Sequence, residues 1–96
     1  MKKGHRALGK AGRALNMPLE YAAGLPKVEI EGFTSVCVES HRGVREYRRE
    51  LIELSASGAR IRISGQGLGL RCLTAELAVI EGRVSGVEFV FEEEGG

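Results

Sequence analysis

From Lys27 onward, apolar and polar residues alternate along the chain, the period of strands that bury one face. Val28 and Ile30 fall on one side, Glu29 and Glu31 on the other. After a turn at Gly32-Phe33, Val36 and Val38 continue the buried side. The clearest unit is 51–56 with 59–64 around Ser57-Gly58. A two-residue loop there pairs Leu54 with Ile61 and Ile52 with Ile63 on one face, and Glu53 with Arg62 and Ser55 with Arg60 on the other. A one-residue slip would destroy both patterns, so the register is specified twice. Gly65-Gln66-Gly67 predicts a turn into Leu68, Leu70 and Cys72, with Cys72 a core thiol on the leucine face. Leu77 and Val79 lead to a turn at Glu81-Gly82 that sets Val79 opposite Val84. The buried parity then moves to Val87, Phe89 and Phe91, which predicts a bulge at Ser85-Gly86. Seven or eight short antiparallel strands in a meander give an all-β fold, a small sandwich or roll.

The first 24 residues follow a different pattern. His5 to Leu15 fits a short helix with Leu8, Ala11 and Leu15 on a thin apolar face, weakened by Gly4, Gly9 and Gly12 at about 1 kcal/mol each relative to alanine. Pro18 suits the first turn of a second short helix, 19–23, which stops at Gly24. The chain therefore divides into a basic, partly helical arm (1–24), an all-β domain (25–91) and an acidic, glycine-ended tail (92–96).

Charge sharpens that division. The chain carries 14 Lys and Arg against 13 acids, a net of +1. Lys2, Lys3, Arg6, Lys10 and Arg13 lie in a stretch with no acid, so the remainder is mildly acidic. Ninety-six residues are enough for one core and too few for two domains. No apolar run approaches the roughly 18 residues of a membrane span, and no signal-like apolar segment opens the chain. The expectation is a soluble cytoplasmic protein, peripheral to a membrane at most. Cys37 and Cys72 lack Cys-x-x-Cys spacing and are read as reduced strand residues.

The densest mix of ionisable and aromatic groups is Glu39-Ser40-His41-Arg42-Gly43-Val44-Arg45-Glu46-Tyr47. Read locally, it is a charged hairpin with a three-residue loop, His41-Arg42-Gly43, closed by Gly43 in the left-handed conformation. Ser40 then pairs with Val44, and Glu39 faces Arg45 across the strands. Glu39, Gly43, Gly58 and Gly82 are the expected register and turn residues. His41, Arg42, Arg45 and Tyr47 are the candidate partner-binding residues, because Arg and Tyr are the types most often energetically central in protein recognition.

This segment, preceded by Leu25-Pro26-Lys27-Val28-Glu29-Ile30-Glu31-Gly32 and followed by Gly58-Ala59-Arg60-Ile61-Arg62-Ile63-Ser64-Gly65-Gln66-Gly67-Leu68, resembles the YabP/YqfC family of bacterial endospore-formation proteins, and its YqfC branch most. The likeness runs from about Leu15 to Phe91, with Glu-x-His-Arg-Gly its most specific element. Ser40 stands where the family is expected to carry Asn, and Ser accepts the same local backbone hydrogen bond. Phe33 stands where a polar residue is usual, and either tucks under the sheet or faces a partner. The resemblance implies a non-enzymatic sporulation protein, made in the mother cell and working beside a membrane-embedded partner.

Catalytic readings fare poorly on the residues themselves. Adjacent strand residues point to opposite faces, so Ser40 does not meet a His41–Glu39 pair as a triad would require. A metal site would have to draw on His5, His41, Cys37 and Cys72, of which Cys37 and His41 share a strand face with Glu39. Gly65-Gln66-Gly67-Leu68-Gly69 opens no helix and lacks dinucleotide-loop spacing. No enzyme activity, cofactor or metal is expected. The alternative function is binding of nucleic acid or anionic lipid through the arm, with lipid ahead because no aromatic stacking platform accompanies the arginines. An uncovered sheet edge would be a docking site by strand addition, for a partner or a second copy.

Overall fold

The ribbon 51–64 forms in the register that its two faces specify. In a computed structural model, which describes residues 24–92, strand β4 (Leu51–Ala56) pairs antiparallel with the start of β5 (Ala59–Leu73). Leu54 lies opposite Ile61, Ile52 opposite Ile63, Glu53 opposite Arg62 and Ser55 opposite Arg60. Gly58, the second loop residue, takes a positive φ (78°), which glycine adopts at no steric cost. The expectations for the arm, its helices and its five cations fall on 1–23, and most of the tail on 93–96, outside the described residues.

The other strands are β1 (Lys27–Glu31), β2 (Ser35–Glu39), β3 (Val44–Tyr47) and β6 (Leu77–Phe91). All six form one antiparallel sheet in the order β1-β2-β6-β5-β4-β3. No helix is present among the described residues, yet Val36, Val38, Ile52, Leu54, Ile61, Ile63 and Ile80 are fully buried. Among the described residues the sheet itself is what covers them, so it rolls up. β5 and β6, fifteen residues each, run through both halves of the roll. The start of β5 and the end of β6 carry β4 and β3; the end of β5 and the start of β6 carry β2 and β1. Val36 and Val38 of β2 and Ile80 of β6 join Ile52, Leu54, Ile61 and Ile63 in one apolar cluster between the halves. Each fully buried side chain of this kind contributes about 1.5–3 kcal/mol.

The roll bends where the β5/β6 register shifts, between Ser64 and Gly65, Gln66 and Gly69, and Leu70 and Cys72. Gly65-Gln66-Gly67 therefore bends a continuing strand and does not turn the chain back. Gly82 likewise lies inside β6 and makes no turn, so Val79 and Val84 are not opposed. Its role is close approach: a Cβ there would sit 2.7 Å from the Gly67 carbonyl oxygen, and one on Gly65 would overlap the Arg83 carbonyl. The bulge expected at Ser85-Gly86 is present, Ser64 facing Gly86 and Gly65 facing Val84. Two long strands thus replace the four short ones that the glycines suggested. The extra residue at Arg71 also rotates Cys72 out of the leucine face, leaving it exposed and not a core thiol. Phe33 lies in the open, 68% exposed, at the turn between β1 and β2.

Candidate interaction surface

Segment 39–47 does not form a hairpin. β2 pairs with β1 and β6, β3 pairs with β4, and residues 40–43 cross from one half of the roll to the other. Glu39 lies opposite Lys27 and Leu77, while the guanidinium of Arg45 is 3.8 Å from Glu92. The expected Glu39–Arg45 and Ser40–Val44 pairs are therefore absent. Cross-strand contacts in a hairpin gain little beside the burial of Val36 and Val38 against β6, and that burial decides the path of the chain.

Backbone and imidazole stitch the crossover down. The Ser40 N–H donates to the Glu76 carbonyl (2.7 Å), the Arg42 N–H to Ser55 (2.7 Å), and the Ser55 N–H returns a bond to Gly43 (2.8 Å). Ser40 adopts a positive φ of 68°, a conformation uncommon for a non-glycine residue and held here by the bond from its N–H to Glu76. His41 is buried, 6% exposed, and not at a tip. Its Nδ1 accepts the Gly43 N–H at 2.9 Å, which fixes Nε2 as the donor to the Thr74 carbonyl, also at 2.9 Å. Both ring nitrogens are engaged, so the imidazole is a latch joining the crossover to the β5–β6 turn. Cys37 and Glu39 lie on β2, away from that latch, and the three do not converge. Burial, then the carboxylates of Glu39 and Glu29, push the Cys37 thiol above its ordinary value, which keeps it a protonated, weak nucleophile.

Arg42 follows the latched histidine and is exposed, with no acidic partner among the described residues. It rims an open cleft of about 560 Å³ shared with His41, Gly43, Val44, Leu73 and Thr74. Arg45 on β3, and Arg48 (2.8 Å from Glu46) and Arg49 in the turn that follows it, are all exposed. The Tyr47 hydroxyl accepts the Leu70 N–H at 3.3 Å, so it ties β3 to the far part of β5 and does not close a hairpin. These exposed arginines recur from 42 to 49 as a basic rim, in which Arg45 and Arg48 already have Glu92 and Glu46 as ion-pair neighbours. Glu29, Glu31, Glu39 and Glu81 stand in the other half of the sheet.

Sequence reasoning missed the buried carboxylate of Glu53. It is 4% exposed, held by Arg60 at 2.8 Å and Arg62 at 3.0 Å. The signal was legible in Arg60-x-Arg62, which brackets Glu53 from the neighbouring strand. Leu73 and Thr74 were missed because only the crossover brings them to His41.

A crossover that buries the histidine of Glu-x-His-Arg-Gly explains why this element stands out from an otherwise ordinary β sequence. Residues 24–96 match the model of the YabP family. The chain belongs to that family. It is also similar to the uncharacterized protein YqfC of Bacillus subtilis (strain 168), 26% identical over 78 residues, which cover 81% of this chain and 84% of that protein. No solved structure matches it. Among the described residues of this YabP-family chain, no helix is long and apolar enough to cross a membrane.

Proposed function

We propose that the chain is a sporulation protein acting as a non-enzymatic interaction module, which docks an acidic segment of a membrane-embedded partner on its basic rim. Membership of the YabP family supports the sporulation role. The observation that carries the docking site is the display of Arg42. Its backbone is bonded to Ser55, the neighbouring His41 is locked on both nitrogens, and its guanidinium has no acidic partner among the described residues. With the backbone at Arg42 already fixed, binding has only the side chain to order, and a carboxylate partner would engage it in bidentate fashion. Arg45 and Tyr47 extend the surface, while His41 sets its geometry from below. In this reading the protein works in the mother-cell cytoplasm, at the membrane surface.

The test is a pull-down from sporulating cells in mild detergent, comparing the native chain with Arg42→Glu after both are shown to be folded. A membrane protein recovered with the native chain and lost with Arg42→Glu is the expected result. Equal recovery by both chains would remove the rim from the docking site, and recovery by neither would count against a membrane complex.

A further inference from the structure

Four stretches of strand edge have no neighbouring strand among the described residues: β1, β3, the end of β5 (69–73) and the end of β6 (86–91). Three are blunted as soluble proteins blunt exposed edges. β1 is five residues long and alternates Lys27, Glu29 and Glu31. β3 has four residues and a register shift at Arg45. The end of β5 is interrupted at Arg71. The end of β6 carries a single charge, Glu88, and none of the other devices. It runs from Gly86 to Phe91 opposite 59–64 with no register shift, and contains no proline, lysine or arginine.

The direction of its free groups can be worked out. The Glu92 N–H donates to the Gly58 carbonyl on the β5 side at 3.1 Å. Backbone groups alternate along a strand, so Val90 and Glu88 also face β5, while the N–H and C=O of Val87, Phe89 and Phe91 face outward. Beside that edge, Phe89 is 46% and Phe91 78% exposed.

We propose that a second copy of this chain pairs with this edge, β6 against β6 in antiparallel fashion, about a two-fold axis at Phe89. The register follows from charge. Centring the pair on Glu88 sets that carboxylate against itself, and centring it on Val90 sets Glu88 against Glu92. Centring on Val87 runs into the bulge at Ser85, and centring on Phe91 runs off the end of the strand. With Phe89 at the axis, Glu88 faces Val90, Val87 faces Phe91, and Phe89 faces its own counterpart. All six outward backbone groups of each copy are then paired, and the apolar side chains meet on one face. The contact is isologous and closes as a dimer.

The test is sedimentation equilibrium of the full chain, with circular dichroism to confirm folding of each variant. The expected mass is twice 10.4 kDa. Phe91→Lys, a change at a mostly exposed side chain, is expected to weaken the dimer about tenfold, since symmetry counts the substitution twice. The register is read by oxidation in a background lacking Cys37 and Cys72. Facing residues in a hydrogen-bonded pair lie about 5.5 Å apart at Cα, within reach of a disulfide. Phe89→Cys is therefore expected to cross-link copy to copy, and Phe91→Cys not. A monomeric native chain, which is also what coverage of this edge by the chain's own arm would give, overturns the proposal. So does a dimer that Phe91→Lys leaves intact, or cross-linking at both positions alike.

Discussion

The β4–β5 hairpin and the 40–43 crossover keep their backbones in place by different means. The hairpin has side chains matched on both faces, apolar against apolar beneath and Glu53 between two arginines above. The crossover has one imidazole and three main-chain bonds and, apart from the Gly43 N–H bonded to that imidazole, every one reaches a residue distant in sequence. The first is redundant and local. The second rests on few contacts, each of which requires the rest of the roll to be assembled. A loop held this way is free to vary its outward side chain, which is where Arg42 stands.

Three measurements bear on that contrast. The largest effect is expected in the hairpin. Arg60→Ala with Arg62→Ala strands the Glu53 carboxylate in a buried place and costs about 3 kcal/mol, measured by urea unfolding. Restoring either arginine is expected to recover most of the loss, which is what redundancy means here. In the crossover, His41→Ala leaves the Thr74 carbonyl and the Gly43 N–H without partners and costs about 2–3 kcal/mol, whereas Arg42→Ala stays within about 0.5 kcal/mol of the native chain. Equal costs at 41 and 42 would contradict the latch. The smallest effect is the most discriminating: in a double-mutant cycle of Glu39→Arg and Arg45→Glu, the coupling is expected to stay under about 0.3 kcal/mol, as for residues that do not touch. A coupling near 1 kcal/mol would mean that β2 and β3 pair after all.

The same contrast explains what could be read from the residues alone. The 51–64 register was legible because two independent patterns agreed on it, as was the bulge at Ser85, where the parity of apolar residues changes. Segment 39–47 offered one charge pair and one glycine, and both are equally at home in a crossover. Glycines misled twice more, at 65–67 and at 82, because a glycine needed for close approach looks the same in sequence as one needed for a turn. Cys72 was misplaced for a related reason: a one-residue bulge reverses every parity beyond it, and no local pattern marks Arg71 as the extra residue. The basic rim was legible as residues but not as a surface. Arg42, Arg45 and Tyr47, the candidates for recognition, are exposed, and the burial of His41 became visible only with Thr74 beside it.

The placement of β2 beside β6 also has a consequence for the order of events on the ribosome. Ser35 finds its partner in Glu81, so the β1–β2 ribbon is made long before the strand that covers it. At about 5–20 residues per second, the 46 residues from Val36 to Glu81 take roughly 2–9 s to appear. Throughout that interval Val36 and Val38 have no β6 to rest on, while the β4–β5 hairpin, complete within its own 14 residues, is free to form at once. Vectorial synthesis thus makes the first strands of this protein the last to be seated, and a holdase that shields nascent apolar strands has its natural target there.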